Sequence, residues 1–81
     1  MQYRDVRKIA DAIKAKIDDQ ITKLISYQQL VDFIAEILEE PVNRKRIFKV
    51  DGYASTIKTV LGPRMPLFEQ IVDEIEKKVT R

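Results

Sequence analysis

The sequence contains neither cysteine nor histidine. Without cysteine, a disulfide framework and a thiolate metal site are both excluded. Without histidine, the chain lacks a very common zinc ligand and the usual general base at neutral pH. The sequence therefore predicts a protein that holds no metal and no cofactor.

Long apolar segments are also absent. No uninterrupted apolar run approaches the roughly 18 residues of a membrane span, and the N-terminal residues MQYRDVRK contain no apolar signal core. We therefore expect a cytoplasmic, intracellular protein that does not bind a membrane.

Residues suited to catalysis are few. The carboxylates of Asp18–Asp19 and of Glu39–Glu40 are sequence neighbours, and neighbouring residues of a helix point about 100° apart. The two glycines of the sequence form no phosphate-binding loop, and no nucleophile stands beside a base. The sequence predicts that the protein is not an enzyme.

The composition is that of a globular chain. Hydrophobic residues make up 44% and charged residues 35% of the 81 residues, which is typical of a folded protein rather than a disordered one. This length predicts one helical domain over residues 1–81. Because the core of such a small domain is marginal, a homodimer or a bound protein partner is compatible with it.

Apolar residues at steps of three and four predict an all-α fold of four helices. The predicted helices span about residues 4–24, 27–39, 53–61 and 66–79. Ser26 and Gln29 have the spacing of a capping box at the start of the second helix. Gly62 follows the end of the third helix, and Pro66 fits the first position of the fourth. The residues predicted to be buried are Val6, Ile9, Ala10, Ile13, Ile17, Ile21 and Leu24, then Leu30, Phe33, Ile34, Ile37 and Leu38, then Ala54, Ile57, Val60 and Leu61, and finally Phe68, Ile71, Val72, Ile75 and Val79.

Residues 41–52 interrupt this helical pattern and are predicted to form a long basic loop. Val42 and Asn43 are typical of a turn, and Asp51–Gly52 is either a second turn signal or the N-cap of the third helix. Residues 46–50 leave two alternatives open. One is a short extended segment, favoured by the β-branched and aromatic side chains; the other is one turn of helix capped by Asn43.

Charge is distributed unevenly along the chain. Residues 26–40 carry four acidic side chains and no basic one, whereas residues 41–64 carry six basic side chains and one acidic. Glu39 and Glu40 lie at the end of the second helix, where the helix dipole disfavours negative charge. The bases at residues 44–46 are the candidates to relieve it.

The basic cluster predicts binding to nucleic acid, because phosphate neutralisation by clustered Arg and Lys supplies much of the affinity. DNA is favoured over RNA. The aromatic rings of Phe48 and Tyr53 would stack on bases if the target were single-stranded. The residues expected to contact phosphates are Arg44, Lys45, Arg46, Lys49, Lys58 and Arg64, and those expected to approach base edges or backbone are Ser55, Thr56 and Thr59.

The order of the second and third helices resembles a helix-turn-helix unit supported by the first helix, and it implies a regulatory or accessory DNA-binding protein. The resemblance covers about residues 4–62, but the connection over residues 40–52 is much longer than the usual turn of three to four residues. The alternative is plain helical packing, with the bases forming a solvated face that balances nearby acids. In that case the chain would act as a non-enzymatic protein-interaction module, such as an adaptor, an inhibitor or a dimerisation domain.

Overall fold

Helices account for most of the residues whose structure is described. The computed structural model describes residues 5–79, with side chains to residue 77. In chain order the elements are α1 (Val6–Ile21), α2 (Tyr27–Glu39), α3 (Pro41–Ile47), β1 (Phe48–Lys49), β2 (Gly52–Tyr53), α4 (Ser55–Leu61), a 3-10 turn (Gly62–Arg64) and α5 (Met65–Val79). The four predicted helices are present as α1, α2, α4 and α5, so the predicted all-helical fold is confirmed. The predicted start at residue 4 and the predicted burial of Val79 lie outside what is described.

Helix α1 ends at Ile21, three residues before the predicted limit of residue 24. The backbone N–H of Leu24 donates to the Asp19 carbonyl at 2.8 Å, and that of Lys23 donates to the Gln20 carbonyl at 3.0 Å. This pair of bonds is a Schellman motif, which closes a helix around one left-handed residue. That residue is Lys23, with a φ of 66°. The predicted burial of Ile21 and Leu24 is therefore wrong, because the chain turns away and leaves them 59% and 75% exposed.

Helix α2 begins as predicted. The Gln29 N–H donates to Ser26 Oγ at 3.1 Å, and the Ser26 N–H donates to Gln29 Oε1 at 2.7 Å, which completes the capping box. Most of the predicted apolar face is buried, together with Val31, which the pattern missed. Phe33 is half-buried, with Lys16 Nζ 5.2 Å from its ring centroid. The helix ends before Pro41, since a residue that precedes proline disfavours helical geometry.

Residues 41–52 are not the predicted loop. Pro41 starts α3, because its fixed φ suits the first helical position and its missing N–H has no role there. Asn43 lies inside this helix and does not cap it. The antiparallel strands β1 and β2 follow, with Phe48 opposite Tyr53 and Lys49 opposite Gly52. A turn is present one residue earlier than predicted, at Val50–Asp51, and Gly52 starts β2 with a φ of 129° that few other residues adopt.

The core lies where α1 packs against α4 and where α2 packs against α5. Helix α4 ends at Gly62 as predicted, with a φ of 50°. Helix α5 begins at Met65, so Pro66 occupies its second position rather than its first. Val60 was expected in the core but is half-buried. The largest fully buried apolar side chains are Phe68, Ile9, Ile13, Ile17, Leu30, Ile34, Ile47, Ile57, Leu61 and Ile71.

Candidate nucleic-acid interface

Helix α3 is held against the end of α2 by a buried amide. Pro41 has no N–H, so the carbonyl of Ile37 lacks its helical donor four residues on. The side chain of Asn43 supplies one: its Nδ2 donates to the Ile37 carbonyl at 3.2 Å, and Asn43 is fully buried. The Glu40 N–H approaches the same oxygen at 3.3 Å. Asn43 therefore sets where the basic helix begins relative to the domain.

Arg44 is engaged within the protein. Its Nη2 lies 2.7 Å from Glu76 Oε1 on α5, its Nη1 donates to the Leu38 carbonyl at 3.5 Å, and its guanidinium lies 5.2 Å from the centroid of the Phe48 ring. The end of α2 thus receives a positive charge, as expected, but Arg44 does so at the Leu38 carbonyl and pairs with a carboxylate of α5. Its charge is already matched by the Glu76 carboxylate.

Arg64 is also paired. Its Nε lies 2.7 Å and its Nη2 3.2 Å from the two carboxylate oxygens of Asp18. This bidentate pair joins the 3-10 turn to the last part of α1 and offsets the unfavourable position of an acid near a helix C-terminus. Two of the six predicted phosphate contacts, Arg44 and Arg64, therefore have internal ion-pair partners.

Three predicted lysines are more available. Lys45 on α3, Lys49 on β1 and Lys58 on α4 are exposed, and within residues 5–79 none of them forms an ion pair with a carboxylate. Lys49 Nζ donates to the Lys45 carbonyl at 3.3 Å, so these two lie side by side. Arg46, between them in sequence, is half-buried. The three exposed lysines, Lys45, Lys49 and Lys58, are together called the lysine surface.

The hairpin and α4 are joined to α3 by a backbone bond. The Ala54 N–H donates to the Ile47 carbonyl at 2.8 Å, which brings the start of α4 against the end of α3. Ser55 and Thr59 on α4 are exposed and Thr56 is half-buried. The expected unit of α2, a loop and α4 was wrong in its middle part, because α3 and the hairpin occupy that connection and α4 packs mainly on α1.

The aromatic rings near the bases pack on one another. The Phe48 and Tyr53 ring centroids are 5.4 Å apart, and Tyr53 meets the buried Phe68 edge-on at 5.5 Å. Arg44 lies near the Phe48 ring, as described above. These contacts anchor the hairpin to α5 and leave the rings poorly placed to stack on nucleic-acid bases.

Carboxylates of α5 surround the hairpin on its inner side. Burial raises the pKa of Tyr53, and the negative charges of Glu69, Asp73 and Glu76 raise it further. Phosphate is therefore disfavoured on the side of the hairpin that faces α5. Glu74, also on α5, accepts a hydrogen bond of 2.7 Å from the Tyr27 hydroxyl on α2. Burial raises the pKa of Tyr27, and this hydrogen bond raises it further.

A cleft of about 320 Å³ lies between α2, α3 and α5, lined by Ala35, Leu38, Glu39, Arg44, Ile75 and Glu76.

Across residues 5–79, no group of three or more acidic side chains is placed to hold a metal ion. Among those residues, no helix is both long enough and apolar enough to cross a membrane.

Comparisons with known proteins give a family but no characterised relative. The curated proteins and the solved structures contained no match to the chain. A family model matches residues 1–77, and its description, conserved hypothetical protein, states no activity, ligand or partner. The chain belongs to this family, the CLB_0814 family of conserved hypothetical proteins.

Proposed function

We propose that the protein binds duplex DNA non-enzymatically, as an intracellular regulatory or accessory factor, and contacts the phosphate backbone through the lysine surface. The observation that carries this proposal is the exposure of Lys45, Lys49 and Lys58, on α3, β1 and α4, without a carboxylate partner among the described residues. Unpaired cations on ordered backbone release counterions when they meet phosphate, which drives association. Arg46 is half-buried and has an interaction of its own within the protein, so it is left out of the lysine surface.

The choice of duplex over single strands follows from the aromatic packing. Proteins that hold single strands use open aromatic faces on which bases stack. Phe48 and Tyr53 instead pack with Phe68 and Arg44. With no free ring in this region of the described chain, binding depends on phosphate charge and on groove shape, which a duplex supplies.

The remaining predicted contacts divide into two groups. Ser55, Thr56 and Thr59 stay in the proposal as short polar groups that donate to phosphate or approach base edges from α4. Arg44 and Arg64 are assigned to positioning, because each holds an ion pair that joins separate elements. Substituting either arginine is expected to act on stability more than on DNA affinity.

The test is a matched pair of double variants. Lys45→Ala/Lys49→Ala removes two charges from the lysine surface, whereas Lys8→Ala/Lys77→Ala removes two exposed charges from α1 and α5. Anisotropy titrations of a labelled duplex give the slope of the logarithm of the binding constant against the logarithm of the salt concentration. The first variant should make this slope less negative by about 1.8, since each phosphate contact contributes about 0.9. The control variant should keep the wild-type slope.

Equal slopes for the two double variants would show that general charge, not the lysine surface, governs binding. If the wild type fails to bind duplex at about 50 mM salt, where phosphate contacts are strong, DNA binding itself is wrong.

A second candidate is a protein-interaction module, favoured by the exposed side chains of Ile21 and Leu24. They lie on either side of the α1 terminus at 59% and 75% exposure, and apolar groups that remain uncovered mark contact sites when they are contiguous. Self-association measured by sedimentation, and lost in Ile21→Ser/Leu24→Ser but not in Lys45→Ala/Lys49→Ala, would favour this function.

A further inference from the structure

We infer that the tip of the β1–β2 hairpin enters the major groove of duplex DNA and that Val50 contacts thymine methyl groups there. This inference rests on the proposed function and adds to it a groove, a reading residue and a base. Val50 is fully exposed at the turn between the strands, and it is the most exposed large apolar side chain of the described residues.

The hairpin is rigid at its base. Phe48 and Tyr53 are opposite one another in the ladder and in ring contact, and Tyr53 is anchored on the buried Phe68. The Ala54–Ile47 hydrogen bond closes the base where the strands meet the helices. An apolar side chain on such a support contacts a ligand at little cost in conformational entropy.

The shape of the tip suits a groove. The turn between the paired residues Lys49 and Gly52 contains two residues, Val50 and Asp51. Nothing lies within 4 Å of the position that a Cβ would occupy at Gly52, so one side of the tip is bare backbone that a groove wall can approach closely. The tip carries charges of both signs: Lys49 precedes Val50 and brings a positive charge to the groove edge, and the exposed Asp51 follows Val50.

The chemistry selects the major groove. It is about 12 Å wide and admits a two-stranded β-ribbon, whereas the minor groove is about 6 Å wide. The major groove also presents the one apolar group of the base edges, the thymine methyl. In this arrangement Val50 contacts the thymine methyl group, and the neighbouring Lys49 contacts a backbone phosphate.

The test compares thymine and deoxyuridine duplexes of the same alternating A·T sequence, which differ in the 5-methyl groups alone. Wild-type protein should bind the thymine duplex about fourfold more tightly for each methyl group that Val50 buries. Val50→Ser, which removes both methyl groups of the valine and leaves a hydroxyl, should bind both duplexes with equal affinity. Val42→Ser, the same substitution at a partly exposed valine of α3, is the control and should keep the wild-type preference.

The outcomes separate the two levels of the proposal. If wild type binds both duplexes equally, or if Val50→Ser keeps the thymine preference, the groove inference is wrong while phosphate binding through the lysine surface stands. If wild type binds neither duplex, both are wrong. If wild type binds vesicles containing phosphatidylserine but no duplex, and Val50→Ser abolishes that binding, the hairpin tip is a membrane contact and the inference is overturned.

Discussion

Asn43 is predicted to be the polar residue on which the placement of α3 depends most. Asn43→Ala removes the Nδ2 donor 3.2 Å from the Ile37 carbonyl and empties a fully buried position. Leaving a buried carbonyl short of its donor costs about 1–3 kcal/mol. The lower part of that range applies, because the Glu40 N–H still approaches the same oxygen at 3.3 Å.

Two further terms set the net size of this effect. The lost packing of the buried amide adds about 1 kcal/mol, comparable to the removal of one buried methylene group. Alanine is the better helix former by roughly 0.5 kcal/mol, which offsets part of the loss. The expected result is a net loss of about 2 kcal/mol, against a free energy of unfolding on the order of 5 kcal/mol for a domain of this size.

The assay is urea unfolding followed by far-ultraviolet circular dichroism, with Val42→Ala as the control. Val42 lies on the same helix and is partly exposed, so its substitution reports the change in helix propensity without the buried bond. The urea concentration at the unfolding midpoint should fall for Asn43→Ala, while the slope of the free energy of unfolding against urea concentration is unchanged. A loss below about 0.5 kcal/mol, which is the scale of helix propensity alone, would refute the role assigned to the Asn43 side chain.

Three other perturbations follow from the structure. Lys23→Gly should raise the free energy of unfolding by about 1 kcal/mol in the same urea assay, because the φ of 66° is strained for lysine but not for glycine; an unchanged midpoint would contradict the Schellman assignment. Arg64→Ala should cost about 1 kcal/mol of stability, a value discounted because the pair with Asp18 is partly exposed, and it should leave the salt slope of DNA binding unchanged. The free energy of unfolding should fall as the pH rises above 10, because the folded state raises the pKa of Tyr27 and Tyr53 above 10.0 and so holds their protons more tightly than the unfolded state. When both tyrosines are replaced by Phe, the difference between the urea midpoints at pH 9 and pH 11 should become smaller than in the wild type.

Local signals in the sequence predicted the parts of the fold that depend on local chemistry. The capping box of Ser26 and Gln29 gave the start of α2 to the residue, because both of its hydrogen bonds are local in the chain. Gly62 marked the end of α4 for a similar reason: the required backbone conformation excludes most other side chains.

The end of α1 was missed because its left-handed residue is a lysine. A helix terminus of this kind is recognised in a sequence by glycine, and Lys23 gives no such signal. Apolar spacing alone therefore extended the helix to residue 24. The error placed Ile21 and Leu24 in the core, whereas they form an exposed apolar pair.

The misassigned region at residues 41–52 has a different cause. Pro41 predicts the end of one helix, but it is also a favoured first residue of the next, and Asn43 compensates for the donor that proline lacks. The ion pairs that remove two arginines from the candidate surface join residues 32 and 46 positions apart in the sequence, which no local pattern predicts. Charge counting therefore could not show that Arg44 and Arg64 are already paired within the protein.

The most direct test of the account is a titration of one labelled DNA sequence, as duplex and as single strand, across 50 to 200 mM salt. Three phosphate contacts from the lysine surface predict a slope of about −2.7 for the logarithm of the binding constant against the logarithm of the salt concentration. The affinity for duplex should therefore fall about 40-fold over this range, and binding to the single strand should be weaker than binding to duplex. No duplex binding at the lowest salt, or binding that salt does not weaken, would contradict the central claim.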